Sequence, residues 1–105
     1  WVRAKGADTF CPLGPWMVTH FSIAEASHRQ IVTRLDGREV QHGNTDQMVH
    51  TIPKLISYIS SFMTLLPGDV ILTGTPAGVG PMELGQRVEV EIEGIGTLTN
   101  TVVEV

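Results

Sequence analysis

The sequence is poor in cysteine, in clustered positive charge and in long apolar runs, and each shortage excludes something. A single cysteine, Cys11, in 105 residues rules out an internal disulfide and points to a reducing compartment, the cytoplasm. Seven Lys and Arg stand against eleven Asp and Glu, a formal net charge of −4. That balance argues against nucleic acid as a partner, because phosphate binding needs clustered cations. Here the basic residues are scattered, and Arg34, Arg38 and Arg87 sit near acidic neighbours. No apolar run approaches the roughly 20 residues that cross a bilayer, so no membrane partner is expected, and no segment reads as a signal peptide. Repeats, low-complexity tracts and linkers are missing too, which leaves one domain or part of one. There is no initiator Met: the chain opens at Trp1 and runs at once into charged and glycine-rich sequence, which reads as a piece of something longer.

What is present is 42% apolar and 17% charged, the balance of a globular chain long enough to hide roughly 60–70% of its unfolded surface. Gly6, Pro12, Gly14 and Pro15 punctuate the first fifteen residues, which read mostly as loop. Residues 16–19 read as a short strand. Asp36-Gly37 between the β-rich runs 31–35 and 38–41 is a hairpin signal, since both turn positions favour positive φ. From Ile52, apolar residues at 52, 55, 56, 59, 62 and 63 form a helical stripe, with Thr51 as cap and Pro53 in the first turn. Core packing is the expected use of that stripe. Pro67-Gly68 ends the helix, and residues 69–73 read as a short buried strand. Residues 74–80 then form a glycine-rich loop. Val88, Val90 and Ile92 alternate with Arg87, Glu89 and Glu91, the period of a strand with one inward face. Gly94-Ile95-Gly96 turns the chain into a last strand over 97–103. The pattern predicts at least five strands and one main helix at about 52–63, an α+β and mostly β architecture.

Candidate chemistry is sparse. None of His20, His28, His42 and His50 makes an i, i+4 pair or a zinc spacing with Cys11, so each reads as structural or surface. Cys11, before Pro12, reads as a small half-buried side chain rather than a nucleophile. The loop 74–80 lacks the Lys-Ser/Thr of a P-loop. Even so, Thr73-Gly74-Thr75-Pro76 at the end of a run of β residues offers backbone N–H groups and a hydroxyl to an anionic or carbonyl oxygen. A crowded turn accounts for it equally well. Lys5, among small residues with Asp8 and Thr9 nearby, could stabilise an enolate or carboxylate as a fixed cation. The plainer alternative is a surface lysine paired with Asp8.

Four stretches, in order, carry a resemblance. The run from Trp1 through Arg3-Ala4-Lys5-Gly6, Asp8-Thr9-Phe10, Pro12 and Gly14-Pro15 resembles a segment of the fumarylacetoacetate hydrolase family. Gly43-Asn44-Thr45-Asp46-Gln47-Met48 resembles its G-N-T-x-x-M stretch. Pro67-Gly68-Asp69-Val70-Ile71-Leu72-Thr73-Gly74-Thr75-Pro76-Ala77-Gly78-Val79-Gly80 is similar to its most recognisable signature, and Gly94 to Val102 is like its last hairpin. The likeness covers essentially the whole chain, residues 1–105, as the C-terminal portion of one catalytic domain. It implies a mixed β-sandwich roll, usually a homodimer. It also implies Mg²⁺ (or Mn²⁺, Ca²⁺) held by carboxylates, and substrates that are 2-oxo, 1,3-dicarbonyl or enol acids.

By the same resemblance, Lys5 is the catalytic lysine beside the metal and the developing enolate. Thr9 lies near the metal, with Asp8 a support, while Thr75 and Gly74 bind the substrate carboxylate or carbonyl. The metal-binding carboxylates and the lid's His–Glu pair belong upstream of Trp1. Glu83, Glu89, Glu91 and Glu93 read as solvated positions, so no metal ligand is assigned in this chain. Gln86 replaces an Asp that the family often has, which alters a turn. The rival reading is a non-catalytic β module for binding or dimerisation, with 74–80 as a plain turn. On the enzyme reading, part of the apolar surface is left for a second chain or a further segment to cover.

Overall fold

Asp36 and Gly37 both take positive φ, 50° and 79°, and the tight turn they form joins β1 (Gln30–Leu35) to β2 (Arg38–Asn44). This is the predicted hairpin, and its twist matches that of the strands it connects. The turn is tied sideways as well. Asp36 Oδ1 accepts from the Arg87 N–H at 2.8 Å, and the Asp36 N–H donates to the Arg87 carbonyl at 2.9 Å. That contact starts β3 (Arg87–Ile92), which runs antiparallel to β1 and is followed through the Gly94–Gly96 turn by β4 (Gly96–Thr101). The sheet order is β2-β1-β3-β4. The computed structural model describes residues 2–104; Trp1, where the family resemblance begins, lies outside them.

The β1–β2 ladder slips by one residue. Thr33 pairs with Gln41, yet Arg34 pairs with Glu39, which leaves Val40 as an extra residue on β2. Such a bulge bends its strand and re-aims the residues beside it. On the polar sheet face, Arg34 on β1 and Glu91 on β3 form a 2.6 Å ion pair. The Glu91 carboxylate holds the Arg34 guanidinium above its ordinary pKa. Arg87 and Glu89 pair at 2.8 Å.

Three α-helices, α1 (Val2–Lys5), α2 (Ile23–Ala26) and α3 (Ile52–Ser60), and a 3-10 turn at Thr45–Gln47 complete the described elements. For α2 the reason is local. Ser22 Oγ accepts from the Glu25 N–H at 3.2 Å, and Glu25 Oε2 accepts from the Ser22 N–H at 2.8 Å, a reciprocal cap. The Ser22 hydroxyl, 2.7 Å from the same carboxylate, holds the Glu25 pKa below its ordinary value. A carboxyl with a depressed folded-state pKa contributes stability above its unfolded pKa of about 4.3 and loses it as the pH falls further. Ser22→Ala should cost about 1 kcal/mol. Acidification from pH 6 to 3 should narrow the gap between wild type and variant, as read by thermal melts. A gap that does not change with pH would show that the carboxylate takes no part in the cap.

Several expectations are corrected. Four strands form among the described residues, not five or more, and they make one open sheet. The α+β, mostly β class holds, while a second sandwich layer is not seen among these residues. Residues 16–19 form no strand: Trp16 is held by its indole, whose Nε1–H donates to the Ile95 carbonyl at 2.8 Å, and the ring covers Gly96. Residues 69–73 form no strand either. Val70 is 58% and Leu72 76% exposed, and among the described residues no strand pairs with the run. Helix α3 ends at Ser60, and its Thr51 cap makes no side-chain hydrogen bond. Its stripe is only half covered, with Ile52, Leu55 and Ile59 half-buried and Ile56, Phe62 and Met63 exposed. Cys11 is exposed rather than half-buried. Among the described apolar side chains only Val32, at 8% exposure, is buried.

Candidate active site

The second and third of the recognisable stretches meet across one cleft of about 350 Å³. One wall is the end of β2 and the 3-10 turn Thr45–Gln47 that follows it. The other is the loop Thr73–Pro76, and Ile31, Met48 and Leu55 supply apolar floor.

The first wall is built by hydrogen bonds within the G-N-T stretch. Asn44 Oδ1 accepts from the Asp46 N–H at 3.0 Å, and Gln47 Oε1 accepts from the Asn44 N–H at 2.9 Å. The two side chains thus cap the turn reciprocally. Thr45 lines the cleft, but its hydroxyl is engaged elsewhere: it donates to the Ala26 carbonyl at 2.8 Å and accepts from the Arg29 N–H at 2.9 Å. The stretch is scaffolding that fixes the end of β2 to α2. Gly43 is buried because the Pro76 ring lies 3.2 Å from where its Cβ would be.

The second wall is the glycine-rich loop, seated on β2. Gly78, at φ 105°, lies against the Val40 carbonyl oxygen, leaving no room for a Cβ. Gln41 Nε2 lies 2.9 Å from both Thr75 Oγ1 and the Pro76 carbonyl. Gly74 takes φ 109° in open space, so glycine is required there by backbone geometry and not by crowding. Sequence reasoning singled out Thr75 and Gly74, and both line the cleft. It missed Gln41, which carries no motif and whose partners lie 34 and 35 residues away.

Lys5, Asp8 and Thr9 are not among the residues that line this cleft. Lys5 closes α1, and Asp8 and Thr9 follow in an exposed loop. Thr9 has φ 68°, a left-handed conformation that costs a β-branched residue about 1–3 kcal/mol and is concentrated at functional sites. A divalent ion does not fit what is present. Among the described residues no three His, Cys, Asp or Glu side chains converge. His28–Asp46 at 3.7 Å and His42–Glu39 at 3.3 Å are pairs only. Glu89 and Glu91 are engaged by arginines, and Glu93 accepts from the Gln30 N–H at 3.3 Å. Gln86 closes its turn much as an Asp would, accepting from the Glu83 N–H at 2.7 Å.

The fumarylacetoacetate (FAA) hydrolase C-terminal family model matches residues 1–103. Oxaloacetate tautomerase FAHD2A, mitochondrial, of Homo sapiens is 47% identical over 110 residues, covering 98% of this chain and 35% of that protein. The crystal structure of 5-carboxymethyl-2-hydroxymuconate delta-isomerase from Mycobacterium smegmatis superposes with a TM-score of 0.92 at 54% identity, covering 98% of this chain and 40% of that one. Maleylpyruvate hydrolase from Sphingobium sp. SYK-6, solved in complex with manganese(II) and pyruvate, gives a TM-score of 0.86 at 40% identity, covering 91% of this chain and 36% of that one. The chain spans about two fifths of the length of the curated relatives it matches. A matching family model, a likeness that runs the length of the chain and four motifs in order agree: the chain belongs to the fumarylacetoacetate hydrolase family.

Proposed function

We propose that these residues supply one wall of the active site in a metal-dependent enzyme acting on 2-oxo, 1,3-dicarbonyl or enol acids. The reaction would be C–C bond hydrolysis, decarboxylation or isomerisation. The observation that carries this reading is the cleft itself. Thr75 and Gly74 stand at its lip on a loop held by β2, with a hydroxyl and backbone groups available to a carboxylate or keto oxygen. The names of the relatives, a tautomerase, an isomerase and a hydrolase of such acids, point the same way.

Lys5 is assigned as the fixed cation that offsets charge on a developing enolate. Thr9, with Asp8 as support, is assigned a place near the metal, which gives a reason for its costly backbone conformation. The manganese held by the Sphingobium enzyme supports a divalent ion, Mg²⁺, Mn²⁺ or Ca²⁺. Its carboxylate ligands would come from sequence outside these 105 residues. The open apolar surface would be covered by that further sequence and by a homodimer partner.

The discriminating experiment is an assay of the full-length protein with acylpyruvates, oxaloacetate and hydroxymuconate-type diacids, with and without Mg²⁺. Turnover of one class that stops on chelation supports the reading. The isolated 105-residue chain should turn over none of them and should bind Mg²⁺ more weakly than millimolar, by calorimetry. Turnover of an acylpyruvate by that chain alone would overturn the assignment of the metal ligands elsewhere.

A further inference from the structure

The orientation of the Gln41 side chain follows from its partners. The Pro76 oxygen is a carbonyl and can only accept, so the Gln41 atom 2.9 Å from it is the amide nitrogen. The same nitrogen lies 2.9 Å from Thr75 Oγ1, where it again donates, through its second hydrogen. The Thr75 hydroxyl therefore accepts from Gln41, and its own proton is left to donate elsewhere. Thr75 lines the cleft, and a molecule bound there can bring an acceptor for that proton. A carboxylate or keto oxygen meets a donor there.

Two contacts keep this arrangement in place. Gln41 is half-buried and directly follows Val40, the extra residue of the β2 bulge. The carbonyl of Val40 seats Gly78, and Gly43, two residues beyond Gln41, seats Pro76. The loop is thus fixed at two points just after Thr75.

We propose that Gln41 is a positioning residue, holding the Thr75–Pro76 peptide on β2 and turning the Thr75 hydroxyl into a donor that faces an oxygen of the bound acid. This rests on the reading of Thr75 as a substrate-gripping residue. Gln41→Glu tests it: a carboxylate there takes the Thr75 proton for itself and repels the Pro76 carbonyl.

The measurement is calorimetric binding of pyruvate to the full-length protein with Mn²⁺ at saturation. Thr75→Val and Gln41→Glu should each weaken pyruvate roughly ten- to hundredfold, the range for a hydrogen bond to a charged group. In the Thr75→Val background, Gln41→Glu should cost clearly less than it does alone, because the hydroxyl it acts through is gone and only its effect on the Pro76 carbonyl remains. Gln41→Met, which keeps the length and folds without a new charge, should weaken pyruvate roughly three- to tenfold. It serves in place of the glutamate variant if that one does not fold. Thr75→Val weakening pyruvate while both Gln41 variants leave it unchanged would overturn the role of Gln41 and leave that of Thr75 intact. Thr75→Val leaving pyruvate unchanged would remove the role of Thr75 itself, and the inference with it. Additive losses in the double variant would make Gln41 a structural residue only, which also overturns the proposal.

Discussion

Lys5→Ala in the full-length protein should lower kcat at least a hundredfold while the melting temperature stays within about 2 °C. The first figure is the effect of removing one preorganised group aimed at developing negative charge. The second follows from the assigned role: a cation held for a developing enolate is placed for the reaction rather than for the fold, so its removal costs little stability, and within this chain no residue of its four-residue helix is buried. Lys5→Arg, which keeps the charge but spreads it over a planar fork, should recover only part of the rate. Steady-state kinetics beside thermal melts separate the outcomes. An unchanged kcat removes Lys5 from the mechanism, and a large drop in melting temperature assigns it to the fold instead.

The other large effect is expected at Gly78. Its φ of 105° is strained for any L side chain, and an added Cβ would collide with the Val40 carbonyl oxygen. Backbone strain alone costs about 1–3 kcal/mol, and the collision adds to it because the oxygen struck is main chain, held between the paired residues Glu39 and Gln41 on either side of the bulge. Gly78→Ala should therefore lift the loop from β2 and cost about 3 kcal/mol or more. Two residues on, Gly80 has open space around its would-be Cβ and is not in the left-handed region. Gly80→Ala should be nearly neutral in the same denaturant titration. Similar losses at both positions would mean that the loop is sensitive to any lost flexibility and that the seat on Val40 does not matter.

Local signals were legible wherever one short segment decides its own geometry. Asp36-Gly37 forms its turn because both residues accept positive φ, and the alternation over 87–92 marks the strand that lies between two others. The Ser22-x-x-Glu25 cap was equally written in the sequence, although only the hydrogen bonds made it conspicuous. Residues 69–73 were misread for a physical reason. An apolar run records that a segment is suited to burial, not which neighbour buries it, and here no strand is adjacent. Trp16 misled similarly, since an aromatic suited to a strand is held instead by its indole N–H. At the candidate site, Thr75 and Gly74 were legible because a glycine beside a threonine in a tight loop is a local statement. Gln41 was not, because its meaning lies wholly in a loop 34 residues further on.

The seat of the loop on β2 has a consequence for how such a protein diversifies. Gly78 rests on a main-chain oxygen and the Pro76 ring on a glycine, so the spacing between the walls is set by main chain, two glycines and the rigid ring of one proline. A gauge of that kind survives substitution at Val40, whose side chain takes no part in it. Reaction chemistry can then drift in the groups that project over the cleft while its width stays constant, and a tautomerase, an isomerase and a hydrolase can inherit the same frame.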